Sequence, residues 1–247
     1  MLFEQLKVEL RTYLRQPLYL VFSILMPVMS FIMFGVMYGN QSYDGVDFFS
    51  QYIPGLCVIV LFSSSVFNIG NQVISDKEKG IYKRLAATPV KLSRIMFVVI
   101  LKAFFVAIIG FILILILAKT VFDATFSTIG LFIPVYIAMV IYSLILGFGI
   151  GAIIDKATTY SIAMMSLFFP MFILSDASFP LAMMPEVLKK AANFNPLYHI
   201  NIVLRIAWDS SLYSQFKNEF WLAVAFLSVL MGIFLMVVAY VWKRKRK

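Results

Sequence analysis

Six long apolar runs constrain the fold more than any other feature of this 247-residue sequence. They are Leu18–Tyr38, Phe49–Val73, Ile95–Ala118, Ile129–Ile153, Tyr160–Leu174 and Phe220–Trp242. A helix needs about 20 mostly apolar residues to cross the hydrocarbon core of a bilayer. Backbone polar groups cannot stay unpaired in lipid, so such runs span as helices. Because 62% of the residues are hydrophobic and 13% are charged, the chain is predicted to be an all-α polytopic membrane protein with six transmembrane helices.

Lysine and arginine are distributed unevenly between the two sides of this predicted bundle. With the N-terminus inside, fifteen of the 21 basic residues flank the spans on the cytoplasmic side, five lie outside and Lys102 falls within the third run. Short cytoplasmic loops carry such an excess of positive charge. The chain is therefore predicted to be a multi-pass protein of the cell membrane, bacterial in origin, with both termini in the cytoplasm. The net charge of +9 is interpreted as a topology signal, and no nucleic-acid partner is expected.

Two segments outside the spans have helical patterns of their own. Residues 1–16 place apolar side chains on one helical face and charges on the other, which predicts a helix lying in the bilayer interface. The external segment 175–219 predicts two short re-entrant helices, neither of which is long enough to cross the bilayer. Asn195 is expected to cap the second of them, with Pro196 in its first turn.

The stretch ISDKEKGIYKRLAATPV, Ile74 to Val90, is the densest charged patch, with six of the chain's 33 charges between Asp76 and Leu85. It lies in the predicted cytoplasmic loop 74–94. Ser75 and Glu78 have capping-box spacing, and Gly80 is expected to break the chain direction. A short helix over about Ile81–Ala87 would follow. The patch is either a positive-inside anchor or a surface for docking a partner.

Polar residues are concentrated in the inner half of the second span, where they serve either interhelical hydrogen bonds or a substrate path. Path candidates are Ser64, Asn68, Asn71 and Met165. The small residues Gly147, Gly149 and Gly151 are interpreted as allowing close helix packing.

The sequence lacks the motifs of several functional classes. There is one histidine, His199, and one cysteine, Cys57, without HExxH, GxSxG or a GxxxxGK[ST] phosphate loop. We therefore expect no catalytic residues, no metal and no cofactor in this chain, and a structural role for His199. Lys102 is expected to extend to the inner interface. The spans lack carboxylates of the kind used in proton or sodium relays, which disfavours ion coupling.

Motifs in order along the chain resemble those of type-2 ABC transporter permeases, the six-span subunits of drug, polysaccharide and lipid exporters. After the second span stand Glu78-Lys79-Gly80, Arg84-Leu85 and Thr88-Pro89; in the external segment stand Phe179-Pro180-Leu181, Met184-Pro185 and Asn195-Pro196-Leu197. Arg15 and Pro17 lead from the N-terminal helix into the first span, as in that family. The chain departs from the family where Ile81-Tyr82-Lys83 replaces a frequent Thr-Leu-Glu, which bears on the partner surface recognised.

The resemblance implies a single transmembrane permease domain over residues 1–247 that works as a homodimer with two separate ATP-binding cassette subunits, which hold ATP-Mg. Coupling to these subunits is expected at Glu78, Gly80, Lys83, Arg84, Leu85, Pro89, Arg11 and Arg15. An external gate is expected at Pro180, Pro185, Asn195 and Pro196. The chain resembles the small drug-exporter permeases. Its substrate would therefore be an amphipathic or hydrophobic compound, such as a drug, peptide or lipid. The alternatives are an ion-coupled secondary transporter or channel and, third, a membrane-embedded enzyme.

Overall fold

The computed structural model describes residues 2–15, 20–39, 41–43, 46–87, 92–123, 128–177, 181 and 184–245. Most of these residues are helical. The helices are α1 Leu2–Leu14, α2 Met26–Tyr38, α3 Phe48–Phe62, α4 Gly70–Glu78, α5 Ile81–Ala86, α6 Leu92–Phe122, α7 Ile129–Ile153, α8 Ala157–Ile173, α9 Glu186–Ala192, α10 Pro196–Trp208 and α11 Lys217–Lys245. π-Helical turns at Val21–Leu25 and Ser63–Ile69 lead into α2 and join α3 to α4.

Four helical stretches of the described chain are long and apolar enough to cross a bilayer. They are Phe48–Glu78, which runs from α3 through α4, Ser93–Phe122 in α6, Ile129–Ile153 in α7 and Lys217–Val241 in α11. They confirm the predicted second, third, fourth and sixth spans, and the protein is an all-α polytopic membrane protein.

The first and fifth predicted spans coincide with shorter apolar helices, α2 and α8. Helix α2 has 13 residues and follows a π-helical turn of five, and α8 has 17. At about 1.5 Å per residue α8 is roughly 26 Å long, somewhat less than the hydrocarbon core of about 30 Å. These two spans remain predictions. Between α2 and α3, the two-residue strands Ser42–Tyr43 and Val46–Asp47 pair as an antiparallel hairpin.

The stretch from α3 to α4 forms the centre of the bundle. Its most apolar window is 88% buried, whereas that of α11 is 11% buried. Helices α6, α7, α8 and α10 all contact the central stretch. Helix α11 therefore lies at the edge of the bundle, while the central stretch contacts most of the other helices.

Small residues allow a close approach of helices at the π-helical turn Ser63–Ile69. A Cβ at Gly147 of α7 would lie 2.3 Å from the backbone oxygen of Ser65. On the other side, the hydroxyl of Tyr160 in α8 donates a hydrogen bond to the carbonyl of Val66. The interpretation of the glycine run as a packing surface is confirmed.

The loop helix departs from its prediction at one point. Ser75 and Glu78 do not form a capping box, because both lie inside the last turns of α4. Gly80 does break the chain direction: its φ of 67° is in the left-handed region, and α5 starts directly after it. In this region an L side chain costs about 1–2 kcal/mol, so the turn depends on glycine.

Candidate coupling site

Helix α1 is fastened to the bundle by a buried lysine. Lys102 of α6 is 3% exposed, and its Nζ lies 3.3 Å from Oε2 of Glu9 in α1. Lys102 also donates to Oε1 of Gln72 in α4, and the Gln72 amide donates to Glu9 at 3.1 Å. The ammonium stands 5.7 Å from the ring centroid of Tyr13. These four residues, here called the α1 cluster, join α1, α4 and α6.

The α1 cluster gives Lys102 a partner that the sequence does not predict. Lys102 is expected to extend towards the inner interface, and its head group reaches α1, the helix predicted to lie there, where it is enclosed by protein and paired with Glu9. A buried cation needs such a partner, because an unpaired charge out of water costs several kcal/mol. The sequence carries no signal for this pair, since 93 residues separate its members.

Tyr82 connects the loop helix α5 electrostatically to the α1 cluster. Burial raises the pKa of the Tyr82 phenol, and the carboxylates of Asp76 and Glu9 raise it further. The phenol is therefore neutral at physiological pH. Asp76, one turn after Gln72 on α4, also interacts with both Glu9 and Lys102. Charges from α1, α4 and α6 thus meet beside α5.

The end of α4 is also tied to the turn between α7 and α8. Lys77 Nζ lies 2.5 Å from Oδ1 of Asp155 and 3.3 Å from the carbonyl of Ile154. One residue on, the carboxylate of Glu78 accepts a hydrogen bond of 3.3 Å from the backbone N–H of Ala157, the first residue of α8. A carboxylate at a helix N-terminus complements the helix dipole. The end of α4 is therefore bonded to the start of α8 as well.

The predicted coupling residues lie on one end of the molecule but differ in their surroundings. Lys83 and Arg84 of α5 are exposed, as are Arg11 and Arg15 at the end of α1. Leu85 faces a groove of about 320 Å³ between α1, α5 and α6, which is also lined by Glu4, Gln5, Val8, Glu9, Ile95 and Val98. Pro89 and Thr88 lie outside the described residues, as does Pro17. We call this surface the α1–α5 groove.

A second groove, of about 220 Å³, opens on the side of the bundle between α2, the central stretch and α8. It is lined by Met26, Pro27, Ser30, Ile59, Ser63, Met165, Phe168, Phe169 and Phe172. We call it the lateral groove. Met165, a predicted path residue, is 55% exposed there. Ser64 was predicted to line the path, but it is the neighbouring Ser63 that borders the groove.

The other predicted path residues are inside the helix packing in this structure. Ser64 is 0% exposed and its hydroxyl donates to the carbonyl of Val60 at 2.7 Å. Asn71 accepts from the Ser161 hydroxyl at 2.9 Å. The buried amide nitrogen of Asn68 has no hydrogen-bond partner within the described part of the chain. A path role for these three residues stays a prediction.

The external segment is fixed to the bundle through α10. Nine of its thirteen residues are buried, so the second predicted short helix packs within the bundle. Asn201 donates to the carbonyls of Ser175 and Asp176 at 3.0 and 2.9 Å, and Arg205 forms an ion pair with Asp176. The outer end of α8 and the helix α10 therefore form one unit.

The predicted gate residues surround this unit. Asn195 caps α10 as predicted, accepting from the Leu197 N–H at 3.0 Å, and Pro196 occupies the first turn. Exposed Pro185 directly precedes α9. Pro180 lies outside the described residues, together with Phe179. Whether the four residues act as a gate stays a prediction.

His199 packs in α10 in the manner of a structural residue. Its Nε2 donates to the Asn193 carbonyl at 2.8 Å, and its ring stacks on Phe226 with centroids 4.2 Å apart. Burial lowers the pKa of His199, although the Asn193 carbonyl opposes this shift. The imidazole is therefore neutral at physiological pH.

Asn195→Ala is expected to lower the free energy of unfolding by about 1–2 kcal/mol, because it removes the cap of α10. It also removes a hydrogen bond of 2.6 Å from the amide to the carbonyl of Met171 in α8. Thermal unfolding of the purified protein measures the change. Asn193→Ala is the matched control, because that side chain is exposed and the backbone carbonyl that accepts from His199 remains. Equal stability of both variants would contradict the assigned role.

The fold is that of a multi-pass membrane protein. Helices of spanning length surround a central helical stretch, and an amphipathic N-terminal helix packs against them. The described residues contain no group of three or more His, Cys, Asp or Glu side chains that could hold a metal ion. The family model for ABC-2 type transporters matches residues 3–208, from α1 to the end of α10. The match covers most of the chain, and the protein belongs to this family of transporter membrane subunits. A comparison with curated proteins gave no match.

Proposed function

We propose that the chain is the membrane subunit of an ATP-driven exporter, working as two copies with two ATP-binding cassette subunits that hold ATP-Mg. The observation that carries the proposal is the α1 cluster. It joins α1 and the central stretch through Glu9, Gln72 and Lys102, directly beside the exposed basic helix α5. A partner that pushed on this end would move α1, α4 and α6 together.

The α1–α5 groove supports docking of the ATPase at this end. Its walls combine the carboxylates Glu4 and Glu9 with the apolar Val8 and Leu85, while Lys83 and Arg84 stand exposed on α5. Such a mixed surface offers a soluble partner an apolar contact and charge pairs that fix its orientation. Glu78 has a different part in the proposal: its carboxylate caps α8, and it relays movement within the chain.

The lateral groove supports an amphipathic or hydrophobic substrate. Its lining is apolar except for Ser30 and Ser63, and it opens beside exposed apolar faces of α2 and α8. On these faces Met29, Met33, Ile162, Leu167 and Phe169 are all more than half exposed. Two copies meeting across these faces would enclose the two grooves in one central passage.

Charge reversal at α5 tests the proposed docking surface. If the ATPase presents acidic side chains to α5, Lys83→Glu with Arg84→Glu places like charges opposite each other, which costs several kcal/mol. We expect this pair of substitutions to reduce ATP-dependent transport in reconstituted vesicles by at least about tenfold and to prevent co-purification of the ATPase. Lys189→Glu with Lys190→Glu on α9 is the matched control, with the same two adjacent charges at the opposite end of the bundle. Equal loss in both variants, or loss in neither, would contradict docking at α5.

The ion-coupled alternative is tested in the same vesicles. Buried Lys102 is an ionisable group in a span, which such a mechanism could use. Its pairing with Glu9 of α1 instead ties it to the coupling end. We expect transport to require the ATPase and ATP, and to persist when proton and sodium gradients are dissipated. Transport that collapses with a gradient and ignores ATP would favour the alternative.

A further inference from the structure

Side chains of α10 and of its N-cap hold the outer end of α8. The Asn195 amide donates to the carbonyl of Met171, in the last turn of α8, at 2.6 Å. The Asn201 amide donates to the carbonyls of Ser175 and Asp176. The last carbonyls of a helix have no partner within it, so their bonds must come from elsewhere. Here α10 supplies them, and the segment 175–177 after α8, which we call the outer corner, is fastened to that helix.

Asp176 in the outer corner combines an uncommon backbone conformation with a nearly buried charge. Its φ of 55° lies in the left-handed region, which few residues other than glycine adopt. Its carboxylate forms an ion pair with Arg205, and only 11% of the Asp176 side chain and 16% of the Arg205 side chain are exposed. The carboxylate also accepts from the Leu181 N–H at 2.7 Å. Residues in such conformations persist where the surrounding contacts hold them, and they are concentrated in clamps and switch regions.

The contacts around the outer corner are tight but incompletely bonded. On one side, a Cβ at Gly55 of α3 would lie 2.7 Å from both the Cα and the carbonyl oxygen of Ala177. On the other side, the Nε of Arg205 and the Oδ1 of Asn201 are buried, and neither has a hydrogen-bond partner among the residues that the structure describes. A buried polar atom without a partner destabilises the arrangement that contains it. The unpaired atoms therefore lower the cost of leaving this arrangement.

The outer corner continues into the wall of the lateral groove. Phe172 lines this groove, and its carbonyl accepts a hydrogen bond of 2.6 Å from the Ser175 hydroxyl. The Phe172 ring contacts Phe168, with centroids 5.6 Å apart, and Phe168 stacks on Phe62 of the central stretch at 4.9 Å. These separations are typical of aromatic pairs that contribute to packing. An aromatic wall of the groove is thus connected directly to the outer corner.

We propose that Arg205 is a positioning residue for the lateral groove: through Asp176 it holds the outer corner, and breaking this ion pair opens the groove at its outer end. Charge-assisted hydrogen bonds are about twice as strong as neutral ones, so the pair contributes more to this contact than either amide. Release of the corner frees Phe172 and gives a compound in the groove a way out. The proposal rests on the proposed function, in which the lateral groove receives the substrate.

Thiol labelling of the full-length chain in nanodiscs tests the proposal without ATPase or substrate. In a Cys57→Ala background, Ser175→Cys places a thiol of similar size at a position that is 1% exposed. A water-soluble maleimide reaches it only when the outer corner opens, so the labelling rate reports the open population. We expect Arg205→Met to raise this rate at least about tenfold, because it leaves a nearly buried carboxylate unpaired. Arg205→Lys keeps the charge and should restore most of the slow labelling.

Asp176→Asn tests the other member of the pair, since asparagine tolerates a positive φ but carries no charge. It should also speed labelling, and combining it with Arg205→Met should give a rate no higher than that of the faster single variant, as for two partners in one interaction. Lys189→Met is the matched control, because it removes the exposed ion pair with Glu186, at 3.0 Å, from the same external segment. This control should label as slowly as the unmodified pair.

A second thiol tests whether the groove opens together with the corner. Ile59→Cys lies on the α3 wall of the lateral groove and should show the same order of labelling rates across the variants. Cys57 of the otherwise unmodified chain is fully buried and should stay unlabelled in every variant at the same temperature, which separates local opening from unfolding.

Three results would overturn the proposal. The first is unchanged labelling of Ser175→Cys in both Arg205→Met and Asp176→Asn, or equal acceleration by Lys189→Met. The second is acceleration at position 175 without acceleration at position 59, since the pair would then not act on the groove. The third is labelling of Cys57 in the same variants, because the pair would then stabilise the whole bundle. Labelling as expected in a chain that fails to transport with ATP would instead retain the role of Arg205 and contradict the proposed function.

Discussion

Lys102→Met is expected to reduce ATP-driven transport by at least about tenfold and to lower the free energy of unfolding by up to about 3 kcal/mol. Methionine fills a similar volume but leaves Glu9 without its cation, and removing one partner of a buried ion pair costs about 3–5 kcal/mol. The lower end of this range applies because the Glu9 side chain keeps 27% of its exposure. Vesicle transport measures the first effect.

The second effect has a built-in reporter, because Cys57 is the only cysteine in the sequence and is fully buried. A fluorogenic thiol reagent labels it only when the bundle unfolds, so the labelling temperature gives the stability of each variant in detergent.

Lys119→Met is the matched control for Lys102→Met, since both lysines belong to α6 and both pair with a carboxylate. The Lys119–Asp123 pair, at 2.8 Å, is largely exposed, and surface pairs contribute about 0–1 kcal/mol. Exchange of the charges, Glu9→Lys with Lys102→Glu, should restore part of the lost transport if the pair joins α1 to α6. Equal effects of the two methionine variants, or failure of the exchanged pair to recover any transport, would count against the α1 cluster as a coupling element.

The sequence predicted the elements of this protein better than their contacts. Apolar length and charge placed four spans correctly, and local chemistry placed the break at Gly80 and the cap at Asn195. Each of these features depends on residues close together in the chain. The pairing of Lys102 with Glu9, across 93 positions, depends on which faces of α1 and α6 meet, and no local pattern encodes this.

Polar residues in the second span illustrate the same limit. Serine and asparagine at such depth predict either hydrogen bonds between helices or a wet path, and the sequence does not distinguish these. In the structure the Ser64 hydroxyl bonds within its own helix and Asn71 bonds to Ser161, whereas the neighbouring Ser63 borders the lateral groove. Successive side chains of a helix point about 100° apart, so neighbouring residues face different surroundings and have different roles. Glu78 was also ambiguous, because a carboxylate after a span can equally meet a partner or cap another helix of the same chain.

Gly147→Ala is expected to destabilise the bundle strongly, because the added methyl group meets backbone atoms of another helix. The new Cβ would lie 2.3 Å from the carbonyl oxygen of Ser65, 2.7 Å from its carbon and 2.9 Å from the Cα of Val66. All three are backbone atoms of the π-helical turn Ser63–Ile69, so no side-chain rotation relieves the contact and α7 must move away. Overpacking costs about 1–3 kcal/mol, and we expect the upper end here, reduced by up to about 1 kcal/mol from the higher helix propensity of alanine.

Gly232→Ala provides the comparison, because it adds the same methyl group to the interior of α11, where nothing lies within 4 Å of the new Cβ. We expect this variant to be neutral or up to about 1 kcal/mol more stable. Labelling of Cys57 during heating measures both, and Cys57 itself belongs to α3, directly before the π-helical turn. Because this turn lies between the coupling end and the lateral groove, separating α7 from it should also lower transport more than the loss of stability alone explains. An alanine at position 147 that leaves the unfolding temperature unchanged would mean that α7 and the central stretch are not in backbone contact, and the proposed transmission through this turn would fail with it.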